Sequence, residues 1–191
     1  SEIRVNVGLS GLGTAAVNFT SMAVRPTGST LTFANAGAIA NGGIGDNPFV
    51  TFSGTINGST PAALLTANNG ILGAWATVIG NDSVTTNQNA EFATYDPANG
   101  IRGMTASMQV TQTGTNINAF ISGLDNLRLN AAANVKLGGQ ALNSLTMNGA
   151  AVALSFQANT DTLTLTSGGL LSGTDNAGRT LGPGAFRGQL T

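Results

Sequence analysis

Leucine-led strands that recur 18 residues apart constrain this chain more than any other feature of its sequence. Leu-x-apolar triplets begin at Leu127, Leu145 and Leu163, and Leu181 falls one further step of 18 along. Toward the N-terminus Leu31 and Val50 are 19 apart, a looser version of the same spacing. Each triplet sits in a run that alternates apolar and polar residues, as do Ile3-Arg4-Val5-Asn6-Val7, Val50-Thr51-Phe52 and Val152-Ala153-Leu154-Ser155-Phe156. Period-two alternation marks a strand with one buried face. Asn-Gly and Gly-Gly pairs punctuate the runs at Asn57-Gly58, Asn69-Gly70, Gly138-Gly139, Asn148-Gly149 and Gly168-Gly169, where glycine and asparagine tolerate the left-handed backbone a tight corner needs.

Short strands at a near-constant spacing, separated by corners, suit a chain wound into stacked coils. The expected fold is therefore all-β: a right-handed parallel β-helix (β-solenoid) of roughly 18–22 residues per coil. It is expected to run through residues 1–191 as a single segment of a longer chain, with residues 66–104 as a non-repetitive insertion or loop-bearing coils. Leu145 is expected to pair with Leu127 on one side and Leu163 on the other, in adjacent parallel strands. The Ala-rich stretches near Ala62 and Ala131 have room for no more than a helical turn before Asn, Gly or Pro closes them. An antiparallel β-sandwich would show similar alternation and is the competing architecture.

Charge narrows the range of partners. Charged residues make up 8% of the chain, against roughly 25% in ordinary globular proteins. Seven basic and eight acidic residues leave a net charge of -1, so no cationic field is available for nucleic acid. Hydrophobic residues at 41% supply enough apolar surface for a folded core. There is no Cys for disulfides or thiolate metal sites, and no apolar run approaches the ~20 residues of a membrane-spanning helix.

Histidine is absent, which removes the usual neutral-pH general base, the Ser/His/Asp triad and most zinc chemistry. The carboxylates Glu2, Asp46, Asp82, Glu91, Asp96, Asp125, Asp161 and Asp175 are scattered, mostly beside Asn, Pro or Gly, where Asp serves turns. Catalytic, cofactor-binding and metal-binding residues are expected to be none. Gly42-Gly43-Ile44-Gly45-Asp46 approaches a calcium-binding nonapeptide only once, and Gly8-Leu9-Ser10-Gly11-Leu12-Gly13 lacks the Lys-Ser/Thr of a phosphate loop. Both read as corners.

Trp75 and Tyr95 are the only Trp and Tyr, and Phe92 lies close to Tyr95 in the chain. As a functional set these three rings would stack on a carbohydrate; as a structural set they plug the junction where an insertion leaves the coils. Thr162-Leu163-Thr164-Leu165-Thr166 places alternate Thr hydroxyls on one face, the pattern of an ice-binding array. The equivalent outward positions Arg128, Thr146 and Gly182 do not repeat it.

Several segments resemble a known family. Gly28-Ser29-Thr30-Leu31-Thr32-Phe33, Asn69-Gly70-Ile71-Leu72-Gly73-Ala74-Trp75-Ala76-Thr77-Val78, Glu91-Phe92-Ala93-Thr94-Tyr95-Asp96 and Asn143-Ser144-Leu145-Thr146-Met147-Asn148-Gly149 are similar to autotransporter-associated β-strand repeat proteins, which are large bacterial surface proteins. The resemblance covers residues from about 28 to 173. It implies a parallel β-helix in a long secreted or surface-displayed polypeptide, and it carries over no catalytic residues.

Taken together, these features point to a structural or adhesive extracellular or cell-surface segment of a bacterial protein, not to an enzyme. Its expected partners are itself or neighbouring repeats through exposed coil edges, head to tail, and surface polysaccharide. A carbohydrate-binding or carbohydrate-active β-helix is the alternative, and an ice-binding solenoid a lesser one.

Overall fold

A computed structural model describes residues 1–5, 15–35, 48–79, 90–112, 115–117, 122–148, 152–172, 178–182 and 184–191. The glycine corner at 8–13, the nonapeptide-like stretch at 42–46 and the carboxylates Asp46, Asp82 and Asp175 lie outside them. The chain divides into two compact units, Ser1–Met104 and Thr105–Thr191.

The first unit takes its strands from the alternating runs: β1 (Glu2–Val5), β2 (Ala15–Phe19), β3 (Leu31–Asn35), β4 (Pro48–Phe52), β5 (Ala76–Ile79), β6 (Ala90–Asp96) and β7 (Gly100–Gly103). Strands β1, β3 and β5 pair in parallel, as do β2, β4 and β7. The two ladders are joined by β6, which is antiparallel to both β5 and β7. A single seven-stranded sheet results, in the order β1-β3-β5-β6-β7-β4-β2, curled almost into a barrel. Apolar residues line up across it: Ile3, Phe33 and Val78 share one row, and Phe19 stacks on Phe52 with ring centroids 5.3 Å apart. Phe33, Val50, Ile56, Leu72, Val78, Ala93 and Ile101 form the buried centre.

Between β4 and β5 lies the helix α1 (Pro61–Ala67), seven residues long where no more than a turn was expected near Ala62. Thr60 caps it by accepting a hydrogen bond from the Ala63 N–H, Pro61 occupies its first turn, and Leu64 and Leu65 lean on the core. A capping hydroxyl and an early proline suit a helix start.

The second unit contains β8 (Val110–Gln112), β9 (Asn126–Leu129), β10 (Ala133–Asn134), β11 (Gln140–Met147), β12 (Ala153–Ser155), β13 (Thr162–Ser172), β14 (Thr180–Leu181) and β15 (Gln189–Leu190). From β9 onward, consecutive strands alternate between a five-stranded sheet, β15-β13-β11-β9-β8, and a three-stranded sheet, β10-β12-β14. Every pairing among them is parallel. Leu127, Leu129, Leu142, Leu145, Val152, Leu154 and Leu163 fill the space they enclose. From Leu142 to Met147, β11 is buried on both faces, as central strands of parallel sheets commonly are. Thr146, expected on an outward row, is therefore an interior residue.

These sheets overturn the single right-handed parallel β-helix of near-constant coils. An antiparallel hairpin, β6–β7, interrupts the parallel ladders of the first unit, and its sheet is mixed. The step between paired strands is not constant either. It is 18 residues from β9 to β11, where Leu127 faces Leu145. From β11 to β13 it grows to 23, with Leu142 opposite Leu165, and after a bulge Leu145 faces Leu170 rather than Leu163. Leu163 pairs instead with Gln140 and, across 27 residues, with Leu190. In the first unit Asn18 and Thr51 are neighbours across 33 residues, and Thr32 and Thr77 across 45. The physical reason is that closing a longer loop costs little, about 0.6 kcal/mol per doubling. Insertions between strands therefore change the step without unbuilding the ladder.

Candidate functional site

The three aromatic residues singled out in the sequence lie in the first unit. The ring of Phe92, on β6, is 1% exposed, and the indole of Trp75, just before β5, is 8% exposed. The Arg25 guanidinium lies over the Trp75 ring, 4.9 Å from its centroid. That arginine is anchored by hydrogen bonds from Nη1 to the Ser29 and Pro26 carbonyls, and its backbone N–H donates to Asn57 Oδ1. Cation–π contact of this kind turns an aromatic face toward a protein group and away from solvent. Tyr95 is half-buried; its hydroxyl accepts from the Phe52 N–H and donates to the Phe52 carbonyl, both at 3.1 Å. Trp75 belongs to the buried core against which Tyr95 packs, whereas Phe92 stands on the opposite face of β6 from Ala93 and Tyr95. The three rings thus form no common exposed face in this structure.

Carboxylates are equally local in their work. Glu2 pairs with Arg4 on exposed β1 at 2.6 Å. Asp96 accepts from the N–H groups of Ala98 and Asn99, closing the β6–β7 turn, and Asp125 accepts from the N–H of Ser122. Glu91 is buried on β6. Among the described residues no three His, Cys, Asp or Glu side chains gather as a metal site would require.

Polar side chains do converge where β9 begins beside β11 and β13. Asn126 Oδ1 accepts from Asn143 Nδ2 at 2.7 Å and from Ser144 Oγ at 2.6 Å, all three residues being buried. On the next strand Thr166 Oγ1 donates to the Leu142 carbonyl, and Ser167 Oγ to that of Asn143. The β11–β13 register shifts here, Leu142 facing Leu165 and Ser144 facing Gly169, so β13 bulges opposite Asn143 and makes room for this network. Similar uncharged links join stacked strands elsewhere: Thr32 with Thr77, Thr51 with Asn18, Asn134 with Asn116 and Thr164 with Thr191. The Thr row beginning at Thr162–Thr166 does not extend across the sheet as an array, since Thr164 faces Ala141 on one side.

The second convergent group is Asp161. Its buried carboxylate accepts from the N–H of Gly138 at 2.8 Å, and from those of Ala158 and Gln157 at 2.7 and 2.8 Å. It thereby staples the turn before β13 to the turn before β11. The hydrogen bond from Gly138, reinforced by those from Ala158 and Gln157, holds the carboxyl below its ordinary range despite the opposing effect of burial. A group whose folded-state pKa is depressed stabilises the fold above its unfolded value, near pH ~3.9, and loses that contribution as pH falls through the folded value. Thermal melts taken between neutral and acid pH should therefore show the melting temperature falling below about pH 4. Asp161→Asn, which removes the titrating group and one acceptor oxygen, should melt lower at neutral pH and show a flatter acid limb.

Sequence reasoning treated asparagine as a corner residue for its backbone tolerance. Asn57 and Asn69 do adopt positive φ, but Asn126 and Asn143 act through their side-chain amides. The 18-residue offset between Asn126 and Ser144 was the available signal, because it places the two polar residues just before the paired Leu127 and Leu145. Nothing local marked Arg25 as the cover of Trp75. No helix among the described residues is long and apolar enough to cross a membrane. In comparisons with known proteins, the chain matches no family model, no curated protein and no solved structure.

Proposed function

We propose that this chain is a structural or adhesive element of a bacterial extracellular or cell-surface protein, non-catalytic, in keeping with its resemblance to autotransporter-associated repeat proteins. The observation that carries the reading is the use made of polar side chains. Asn126, Asn143, Ser144, Thr166 and Ser167 are committed to tying neighbouring strands together, and Asp161 to tying neighbouring turns. Such links are uncharged or satisfied by backbone N–H groups, so they hold a paired backbone together without depending on ionic strength. A protein outside the cell must persist among proteases and changing salt. Backbone held in hydrogen-bonded ladders offers few openings to cleavage.

Immunolabelling of intact cells of the source bacterium, with a cytoplasmic protein as control, tests the location. Labelling of unpermeabilised cells is the expected result; confinement to the cytoplasmic fraction would sink the reading. A carbohydrate-binding role would draw on Trp75, Tyr95 and Phe92, and no observation at those rings favours it.

A further inference from the structure

Three Asn-Gly pairs lie wholly within the described residues: Asn57-Gly58, Asn69-Gly70 and Asn99-Gly100. In each, the backbone nitrogen of a residue without a side chain can approach the asparagine side-chain carbonyl carbon with little hindrance. Two of the three also share a left-handed backbone, with φ of 52° and 80° at Asn57 and Gly58 and of 50° and 92° at Asn69 and Gly70. What differs is how the fold holds the two groups that would react. The Gly70 N–H donates to the Leu65 carbonyl at 2.8 Å, which ties that nitrogen to the helix. Gly100 is buried between Asp96 and Val50, and the Asn99 N–H is bound by the Asp96 carboxylate. At Asn57 the arrangement is reversed. Gly58 is exposed, and among the described residues its N–H makes no hydrogen bond. The side-chain oxygen of Asn57 accepts from the Arg25 N–H at 2.9 Å, so the atom that becomes negative on attack already has a donor aimed at it.

We infer that Asn57 is a self-modifying site, which deamidates faster than the other described Asn-Gly pairs. Attack requires the Gly58 peptide to rotate toward the Asn57 side chain, and an exposed glycine with an unbound N–H opposes that rotation least. The Gly58 nitrogen loses its proton to solvent, and its lone pair forms a bond to Asn57 Cγ. The Cγ–Nδ2 bond then breaks, and ammonia leaves with a proton returned from solvent. Water opens the resulting five-membered succinimide at either carbonyl, leaving an aspartyl or an isoaspartyl residue at position 57. The sum is asparagine plus water giving a carboxylic acid plus ammonia, and water is the only co-reactant. Each event adds a negative charge to a chain of net charge -1. That charge arises where the Arg25 backbone is tethered, and the Arg25 guanidinium lies over Trp75. The isoaspartyl form also lengthens the backbone of a two-residue turn closed by both Ile56–Ser59 hydrogen bonds, with Ile56 wholly buried beside it.

The test needs no variant. The 191-residue chain is incubated at neutral pH, once folded and once in guanidinium chloride, and the three asparagines are followed by peptide mapping with mass spectrometry. In the folded chain Asn57 should convert about tenfold faster than Asn69 or Asn99, a fraction of the hundredfold or more that one such donor is worth in a closed enzyme site. In denaturant, where each asparagine keeps only its glycine neighbour, the three rates should converge. Equal rates in the folded chain overturn the inference, as does earlier reaction at Asn69 or Asn99. An Asn57 that reacts in denaturant and is silent in the folded chain shows a protecting turn and overturns it too. A lead at Asn57 that persists unchanged in denaturant would assign the reactivity to flanking sequence, and would overturn the role given to the Arg25 and Gly58 N–H groups.

Discussion

Leu145→Ala is expected to destabilise the second unit by about 2–5 kcal/mol, the range for emptying a fully buried leucine site. Leu145 lies between Leu127 and Leu170 in the row that crosses the five-stranded sheet, and it has no solvent exposure. Its removal takes away methyl and methylene contacts from strands on both sides. Each of those strands is held by parallel pairing that leaves little freedom to collapse into the cavity. Leu170→Ala, in the same row but nearly half exposed, is the internal comparison and should cost about 1 kcal/mol, in proportion to the smaller apolar area withdrawn from water. Urea titrations followed by circular dichroism would measure both. Equal losses for the two variants would show that the row is not packed as described.

Gly100→Ala should be comparably damaging for a different reason. Gly100 begins β7, facing Asp96 across the hairpin and Val50 on β4, at the point where the β6–β7 hairpin joins the parallel ladder. Its φ of 74° lies in the left-handed region, which costs a residue with a Cβ roughly 1–2 kcal/mol. A Cβ there would also overlap the Val50 carbonyl. That clash must be relieved by moving one of two strands, at a further cost of roughly 1–3 kcal/mol. The sum is about 2–5 kcal/mol. Gly28→Ala separates the two contributions, because Gly28 has nearly the same φ, 79°, and nothing within 4 Å of the added Cβ; only the backbone cost should appear. Trp75 shares the core with Val50 and Ile101, and as the only Trp it makes fluorescence a direct report on this unit. A Gly100→Ala variant no less stable than Gly28→Ala would show that β4 and β7 do not approach each other so closely.

Stability comes from rows of identical function repeated across strands: leucines inward, and asparagine, serine and threonine where the chain turns. Among the described residues, the two most densely hydrogen-bonded groups, those at Asn126 and Asp161, serve neighbouring turns and strands.

What the sequence by itself determined is that the alternating runs of β1, β3, β4, β9, β12 and β13 are strands with an apolar face. Leu127 and Leu129, Leu163 and Leu165, and Leu154 between its neighbours all point inward as their period-two spacing requires, because side chains alternate across a strand whatever lies beside it. The left-handed corners at Asn57-Gly58 and Asn69-Gly70 were likewise legible, being set by local backbone preference, whereas the capped helix at Pro61–Ala67 is longer than the single turn expected there. Tertiary structure alone decided which strand meets which. Leu145 faces Leu127 as the spacing suggests, but Leu163 lies against Gln140 and Leu190, and β6 turns antiparallel between two parallel ladders. Alternation specifies a face and carries no address for a neighbour. With loop closure so weakly dependent on length, the partner is chosen by the fit of whole rows of side chains, and that fit exists only once the strands are together. The same holds for Trp75, whose cover is an arginine fifty positions away in the chain.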